Sequence, residues 1–159
     1  MKIVGYTYWN GEHHFTMKCD ASLLQGRKPM FLPDWSEDVR MSPCMVIRIS
    51  RLGKCIAPKF ASRYYDAVAP GLDFTAVDWL SRNYSRATAF ESSLCVGDFA
   101  GVEDLNESQQ AQIAQAIADA STVVTLRMGD LLYIDTPAEP QAVQSNLLIE
   151  QERLYCKIK

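Results

Sequence analysis

The stretch from residue 44 to residue 79 constrains the fold most strongly. Residues 44–49 (CMVIRI) carry apolar side chains on both faces, which is typical of a strand in the middle of a sheet. Pro58 suits a first helical position, and apolar residues recur at helical spacing up to Pro70-Gly71. Residues 72–79 then form a second strand. The stretch therefore predicts a central strand, a helix and a returning strand.

The rest of the chain adds strands and one clear helix. Asn106 and Gln109 have the spacing of a capping box ahead of a helix over residues 106–120. Further strands are predicted over residues 2–8, 14–17, 95–102, 122–126 and 131–134, with a terminal hairpin over 147–150 and 153–158. About eight strands and two helices that do not alternate argue against a doubly wound sheet. The prediction is one α+β, mainly β domain over residues 1–159, with a mixed β-sheet rolled toward a barrel.

Composition excludes several classes of function. The net charge is −3 and no run of Lys or Arg occurs, so we expect no nucleic-acid partner and no membrane partner. The five cysteines include no CxxC pair, which argues against a zinc ribbon and favours reduced, buried thiols. The opening residues MKIVGYTYWNGEHHF lack the pattern of a signal peptide, so the expected location is the cytoplasm.

Four segments together resemble the fumarylacetoacetate hydrolase (FAH) family. They are MKCDASLLQGRKPMFLPDWSED, CMVIRISRLGKCIAPKFASRYYDAVAPGLDFTAVD, VGDFAGVEDL and RMGDLLYIDTPA, over residues 17–38, 44–78, 96–105 and 127–138. The resemblance implies a mixed β-sheet roll and a homodimer. It also implies hydrolase, isomerase or decarboxylase chemistry on a β-diketo or oxo-acid, with Mg²⁺ or Mn²⁺ as Lewis acid.

The metal-binding positions that the resemblance implies are mostly substituted. The family's Glu-x-Glu pair falls on Ser42 and Cys44, which carry no carboxylate. The third ligand position is Asp73, which is kept. A single carboxylate competes poorly with the water shell of Mg²⁺. We therefore expect Asp73 to be a weak, vestigial metal ligand and expect no bound cofactor.

The family's other pocket positions are also altered. Asp78 and Thr136 are kept, and Lys18 is expected to line the same pocket. The substituted positions are Val77 for an Arg, Leu80 for a Gln, Thr88 for a Lys, and Asp135 for the Gly before Thr136. The segment YTYWNGEHHF, residues 6–15, is too short for the family's lid helix. Loss of an Arg clamp and of a lid removes substrate positioning and water exclusion.

Two alternatives for new chemistry stay open. His13 and His14 are the only histidines, and on a strand they point to opposite faces, so they cannot share a metal. One of them could still act as a replacement base. Cys44 and Asp73 could join a histidine in a site for a softer metal ion.

The favoured hypothesis is an FAH-like scaffold that has lost metal-dependent catalysis. It would act as a binding or structural subunit, pairing with itself or with an intact relative. The alternative is an active Mg²⁺- or Mn²⁺-dependent enzyme whose pocket contains Asp73, Asp78, Lys18 and Thr136. A third hypothesis is a sensor that binds an oxo-acid ligand without metal.

Overall fold

The computed structural model describes all residues from 1 to 159 and contains one large mixed sheet. Its strand order is β2-β1-β7-β4-β5-β6-β3, with β8 beside β4, and β9 and β10 form a separate hairpin. The strands are β1 Ile3–Trp9, β2 Glu12–Lys18, β3 Leu23–Gln25, β4 Val39–Ile49, β5 Tyr65–Ala76, β6 Leu94–Val96, β7 Leu131–Asp135, β8 Gln141–Ala142, β9 Leu148–Gln151 and β10 Leu154–Lys157. The α-helices are α1 Tyr84–Thr88 and α2 Glu107–Val123, and short 3₁₀ segments span Asp20–Ser22, Pro58–Arg63 and Val77–Trp79.

The long antiparallel pair β4–β5 forms the centre of the sheet. Its register runs from Val39 opposite Ala76 to Ile49 opposite Tyr65, with a bulge at Arg48 and Ile49. β4 also pairs with β7, and β5 also pairs with β6. Apolar residues on both faces of β4 are buried, as its sequence pattern predicts.

The first hairpin joins β1 to β2. Asn10 and Gly11 both have positive φ angles, of 53° and 83°, which is the requirement of a type I′ turn. The other edge of β1 pairs in parallel with β7, from Ile3 opposite Leu131 to Tyr6 opposite Ile134. β1 thereby connects the start of the described chain to a strand formed near its end.

The sheet is rolled, so that strands distant in its order meet. Lys18 at the end of β2 contacts Asp73 in β5, although β1, β7 and β4 lie between these strands. The outer face of the roll packs against α2, which buries Ile113, Ile117 and Ala120. The predicted capping box is present, since Asn106 Oδ1 accepts from Gln109 N at 2.8 Å and Gln109 Oε1 accepts from Asn106 N at 3.0 Å.

The predicted fold class is confirmed as α+β and mainly β, and three predicted local structures differ from the structure. The strand expected over residues 95–102 is the short β6, Leu94–Val96. The helix expected from Pro58 to Pro70-Gly71 is a 3₁₀ segment that ends at Arg63, and β5 begins at Tyr65. Pairing with β4 along one edge, together with a bridge from Val68 to Ala100 on the other, outweighs the local helical spacing in this segment. The strand expected over residues 122–126 is the last turn of α2 and a short connection, apart from a single bridge between Gly53 and Leu126.

No helix in the structure combines the length and hydrophobicity that a membrane span requires.

Candidate functional site

Polar side chains from five strands and α1 meet inside the roll, where the surrounding residues are apolar. β4 and β5 place Ser42 directly opposite Asp73, and β4 and β7 place Cys44 directly opposite Asp135. Directly opposite residues of an antiparallel pair project on the same face. We call Lys18, Ser42, Cys44, Asp73, Asp135, Thr7 and Tyr133 the interior cluster. All seven are buried, with exposed fractions of 7% or less.

A buried ion pair between Lys18 and Asp73 is the main feature of the interior cluster. Lys18 Nζ lies 2.9 Å from Asp73 Oδ1, and neither side chain has exposed surface. The contact lacks the angle of a directed hydrogen bond. The ammonium instead donates to the carbonyl of Thr88 and, at 3.0 Å, to Ser93 Oγ. Hydrogen bonds of this kind offset part of the cost of removing an ammonium from water.

A line of hydroxyl groups holds the second oxygen of Asp73. Thr7 Oγ1 donates to Asp73 Oδ2 at 2.9 Å. Thr7 Oγ1 also lies 2.8 Å from Tyr133 Oη. Because the single proton of Thr7 goes to Asp73, Tyr133 must be the donor to Thr7. Burial and the nearby carboxyls of Asp73 and Asp135 raise the pKa of Tyr133 well above its usual value, so the phenol keeps its proton for this bond.

Asp135 is a second carboxyl next to Asp73. Its Oδ2 accepts from Tyr8 N at 2.9 Å, while its Oδ1 has no hydrogen-bond partner. Burial, followed by the adjacent Asp73, raises the pKa of Asp135 well above its usual value. Burial and the neighbouring Asp73 thus both favour the protonated form of Asp135. The interior cluster then holds one ammonium, one carboxylate and one neutral acid, which leaves no net charge.

These residues do not fit a Mg²⁺ or Mn²⁺ ion. The structure contains no group of three or more His, Cys, Asp or Glu side chains arranged to hold a metal. Ser42 and Cys44 supply no carboxylate oxygens, which are the ligands that hard cations need. The ammonium of Lys18 lies against Asp73, the carboxylate predicted as a weak metal ligand. A dication beside this ammonium would be repelled by it.

Cys44 does not have the surroundings of a reactive cysteine. Burial, followed by the carboxyls of Asp135 and Asp73, raises the pKa of Cys44 well above its usual value. A protonated thiol is a poor nucleophile and a poor metal ligand. The histidines lie elsewhere, as His13 Nε2 contacts the Asp135 carbonyl at 2.8 Å and His14 stacks on Trp9 at 4.2 Å.

The structure separates the residues that sequence analysis grouped into one pocket. Lys18, Ser42, Cys44, Asp73 and Asp135 meet, together with the backbone carbonyl of Thr88.

The remaining candidates lie outside the interior cluster. Asp78 is exposed and accepts hydrogen bonds from Ser36 Oγ at 2.6 Å and Glu37 N at 3.0 Å. Thr136 is also exposed, and its backbone N–H donates to Pro43 O. Val77 is the first residue of the 3₁₀ segment that follows β5, and Leu80 comes directly after that segment. Both side chains are half-buried. Of the three residues that the family resemblance marks as kept, Asp73 therefore lies in the interior cluster, whereas Asp78 and Thr136 lie at the surface.

Sequence analysis missed Thr7, Tyr133 and Ser93. The one signal in the sequence is the placement of a hydroxyl residue among apolar strand residues, as for Thr7 in IVGYTYW. Ser93 directly precedes such a strand. Gly5 adds a second, structural signal, since a Cβ at this position would lie 2.2 Å from the Tyr133 ring. The ring thus packs directly on the β1 backbone, which a side chain would prevent.

The interior cluster is covered rather than open. The Tyr84 hydroxyl oxygen in α1 lies 2.6 Å from Thr16 Oγ1 in β2. Thr88 Oγ1 donates to the Tyr84 carbonyl within α1. Cys44 borders a surface cleft of about 360 Å³ that also involves Met45, Pro70, Gln109 and Arg153. Lys18, Asp73 and Asp135 are each 4% exposed or less. A substrate at the cleft would meet a thiol, not the acid and base groups.

Comparisons with known proteins identify the fold through structure alone. Neither the sequence profiles of known families nor the sequences of curated proteins give a match. Fumarylpyruvate hydrolase from Pseudomonas aeruginosa, solved in complex with Mn²⁺ and pyruvate, aligns at TM-score 0.84 and 14% identity, over 99% of this chain and 89% of its own. A protein from Yersinia pestis CO92 that is assigned to the fumarylacetoacetate hydrolase family aligns at TM-score 0.84 and 18% identity, over 99% and 92%. A 5-carboxymethyl-2-hydroxymuconate delta-isomerase from Mycobacterium smegmatis aligns at TM-score 0.83 and 17% identity, over 99% and 78%.

Proposed function

We propose that this chain, which has the fold of fumarylacetoacetate hydrolase family proteins, is a metal-independent scaffold that serves as a binding or structural subunit. The observation that carries the proposal is the ion pair of Lys18 and Asp73, in which neither side chain has exposed surface. The Lys18 side chain of the same chain thus supplies a permanent positive charge next to the Asp73 carboxylate. An internal ammonium removes the electrostatic need for a dication at this position.

The covered position of the interior cluster supports the same proposal. General acid–base work requires a group within hydrogen-bond reach of the substrate, directly or through one water. Lys18 and Asp73 instead bond to Thr88, Ser93 and Thr7 inside the roll. Turnover would require α1 to move and the ion pair to break.

Metal binding tests this proposal directly. Isothermal titration of the chain with MgCl₂ and with MnCl₂ is expected to show no binding tighter than about millimolar, because one partly neutralised carboxylate cannot replace bound water. Stoichiometric binding at micromolar concentrations would contradict the proposal. An assay with fumarylpyruvate and Mn²⁺ extends the test to turnover, for which the expected rate is that of the buffer.

We further propose, from the family resemblance, that the subunit pairs with a second copy or with a catalytically intact relative. Light scattering of the purified chain measures the first arrangement. Co-purification with an intact relative from the same cell measures the second. A chain that stays monomeric and captures no relative would leave the scaffold without its structural role.

A second candidate function is a metal-dependent hydrolase or isomerase acting on an oxo-acid. It is favoured by the activities named for the structural neighbours and by the retained Asp73. Asp73→Ala should then abolish turnover of an oxo-acid, whereas Asp78→Ala should not, since Asp78 lies apart on the surface. Turnover that survives in Asp73→Ala would discard this site.

A further inference from the structure

Two segments distant in sequence form one end of the molecule. Residues 50–63 follow β4, and residues 121–130 comprise the end of α2 and its connection to β7. Gly53 N and O bond to Leu126 O and N at 3.0 and 2.9 Å, and Cys55 N donates to Ser121 O at 2.9 Å. Ile56 N donates to Ser121 Oγ at 2.9 Å. These bonds make the two segments one continuous surface, which we call the basic end.

The basic end carries five exposed cations without a partner. They are Arg51, Lys54, Lys59, Arg63 and Arg127, and none of them forms an ion pair. The sole acid in the two segments is Asp130, which is buried and paired with Lys2 at 2.6 Å. This concentration of positive charge occurs in a chain of net charge −3. The expectation of no membrane partner was based on the absence of a run of Lys and Arg in the sequence. The fold assembles this group of cations from two separate segments, so a linear pattern does not show it.

Exposed apolar side chains project between these cations. Leu52 is 60% exposed, Met128 77% and Val123 55%. Phe60 is 39% exposed and lies 5.0 Å from Lys59 Nζ and 4.7 Å from the Arg63 guanidinium, measured from its ring centre. Three of the four directly follow a cation in sequence, as in Arg51-Leu52 and Arg127-Met128.

We propose that the basic end binds the surface of an anionic phospholipid bilayer. Apolar tips that alternate with cations match the boundary of a bilayer, where apolar groups enter the acyl region and cations stay at the phosphates. A nucleic acid would use the cations and leave Leu52 and Met128 exposed to water. An acidic protein segment would likewise pair with the cations and gives no account of the exposed apolar side chains, which lie on the connection after β4, the 3₁₀ segment, the last turn of α2 and the turn before β7. An anionic bilayer surface therefore accounts for both the exposed cations and the exposed apolar side chains.

Vesicle co-sedimentation of the full chain tests the proposal. Binding is expected to phosphatidylcholine vesicles that contain phosphatidylglycerol, to weaken with added salt, and to be absent with phosphatidylcholine alone. Arg51→Gln/Lys59→Gln/Arg127→Gln should lower the partition coefficient on the order of 100-fold. Leu52→Ser/Met128→Ser should lower it about tenfold or more at unchanged charge.

A matched control uses exposed cations elsewhere on the molecule. Lys28→Gln/Lys157→Gln/Lys159→Gln removes three exposed cations that form no ion pair, and it should bind vesicles like the unmodified chain. Equal loss in this control and in the triple variant of the basic end would overturn the proposal, as would no binding to anionic vesicles. Binding to polyuridylate or polyglutamate without binding to vesicles would assign the surface to an acidic macromolecule instead.

Discussion

Lys18 approaches Asp73 from across the roll, from a strand that three other strands separate from β5 in the sheet order. Their contact therefore ties the two sides of the rolled sheet together at its interior. The same contact keeps a cation beside the carboxylate at all times. The stability of the fold and the absence of metal binding both depend on this ion pair, so its removal should change both properties.

Lys18→Met is expected to destabilise the fold by about 3 kcal/mol or more, because it leaves Asp73 buried without a cation. Urea unfolding followed by circular dichroism measures the change. Lys28→Met, at an exposed position, is the matched control and should change stability little. In Lys18→Met/Asp73→Asn the loss should be smaller than in Lys18→Met alone, and a larger loss would contradict the ion pair.

Restoring acids at the family positions should create a metal site. Ser42 lies opposite Asp73 and Cys44 opposite Asp135, so glutamates there would project on the same face as these two carboxyls. Lys18→Met/Ser42→Glu/Cys44→Glu is expected to bind Mn²⁺ at least about tenfold more tightly than the unmodified chain. The control Lys18→Met/Ser42→Gln/Cys44→Gln has the same shape without the charge. Equal titration curves for the two variants would refute the assignment of these positions.

The raised pKa of Asp135 predicts a pH-dependent contribution to stability. In the folded protein, burial and Asp73 keep Asp135 protonated above the unfolded value of about 3.9. The folded state then binds more protons than the unfolded state, so this group's contribution falls as pH rises from about 4. Asp135→Asn should remove that fall.

Urea unfolding of the chain and of Asp135→Asn, from pH 4 to pH 8, measures the effect. The stability of the variant relative to the unmodified chain should increase with pH. Asn can still accept the hydrogen bond from Tyr8 N. A difference that stays constant with pH would show that Asp135 is ionised in the folded protein.

Gly5→Ala should be disruptive, because its Cβ would lie 2.2 Å from the Tyr133 ring. The expected loss is about 1–3 kcal/mol from overpacking. The same Gly5→Ala substitution should cost less stability in a Tyr133→Leu background than in the unmodified chain, because the ring is then absent. An equal loss in both backgrounds would place the strain somewhere other than the ring.

Thiol titration tests the burial of the cysteines. Cys19 and Cys55 are exposed, whereas Cys44, Cys95 and Cys156 are buried. Ellman's reagent should therefore modify two thiols rapidly in the native chain and all five in denaturant. Rapid native modification of a third thiol would indicate that the roll opens readily.

The sequence predicted elements whose signals are local. The β1–β2 turn needed only Asn10-Gly11, and the start of α2 needed only Asn106 and Gln109. It failed over residues 65–71, which it predicted as helix and which lie in β5, because pairing with β4 decides the conformation there. Helical spacing of apolar residues in that segment reflects burial on both faces of a strand, which periodicity cannot distinguish from a helix.

The sequence predicted several residues of the candidate site better than it predicted the contacts between them. Family resemblance pointed to Ser42, Cys44, Asp73 and Asp135, which do lie together. It could not show that Lys18 reaches Asp73, because that contact depends on how far the sheet rolls. Asp78 matched the family pattern but accepts hydrogen bonds from Ser36 and Glu37 at the surface, through contacts that a motif does not encode.

The parallel pairing of β1 with β7 has a consequence for synthesis on the ribosome. Lys2 and Asp130, which flank this pair, are separated by 128 residues. One edge of the first hairpin therefore remains unpaired until residues 131–134 have been synthesised, and an unpaired strand edge promotes aggregation. Nascent chains stalled before residue 131 should be the form of this protein that chaperones bind most strongly.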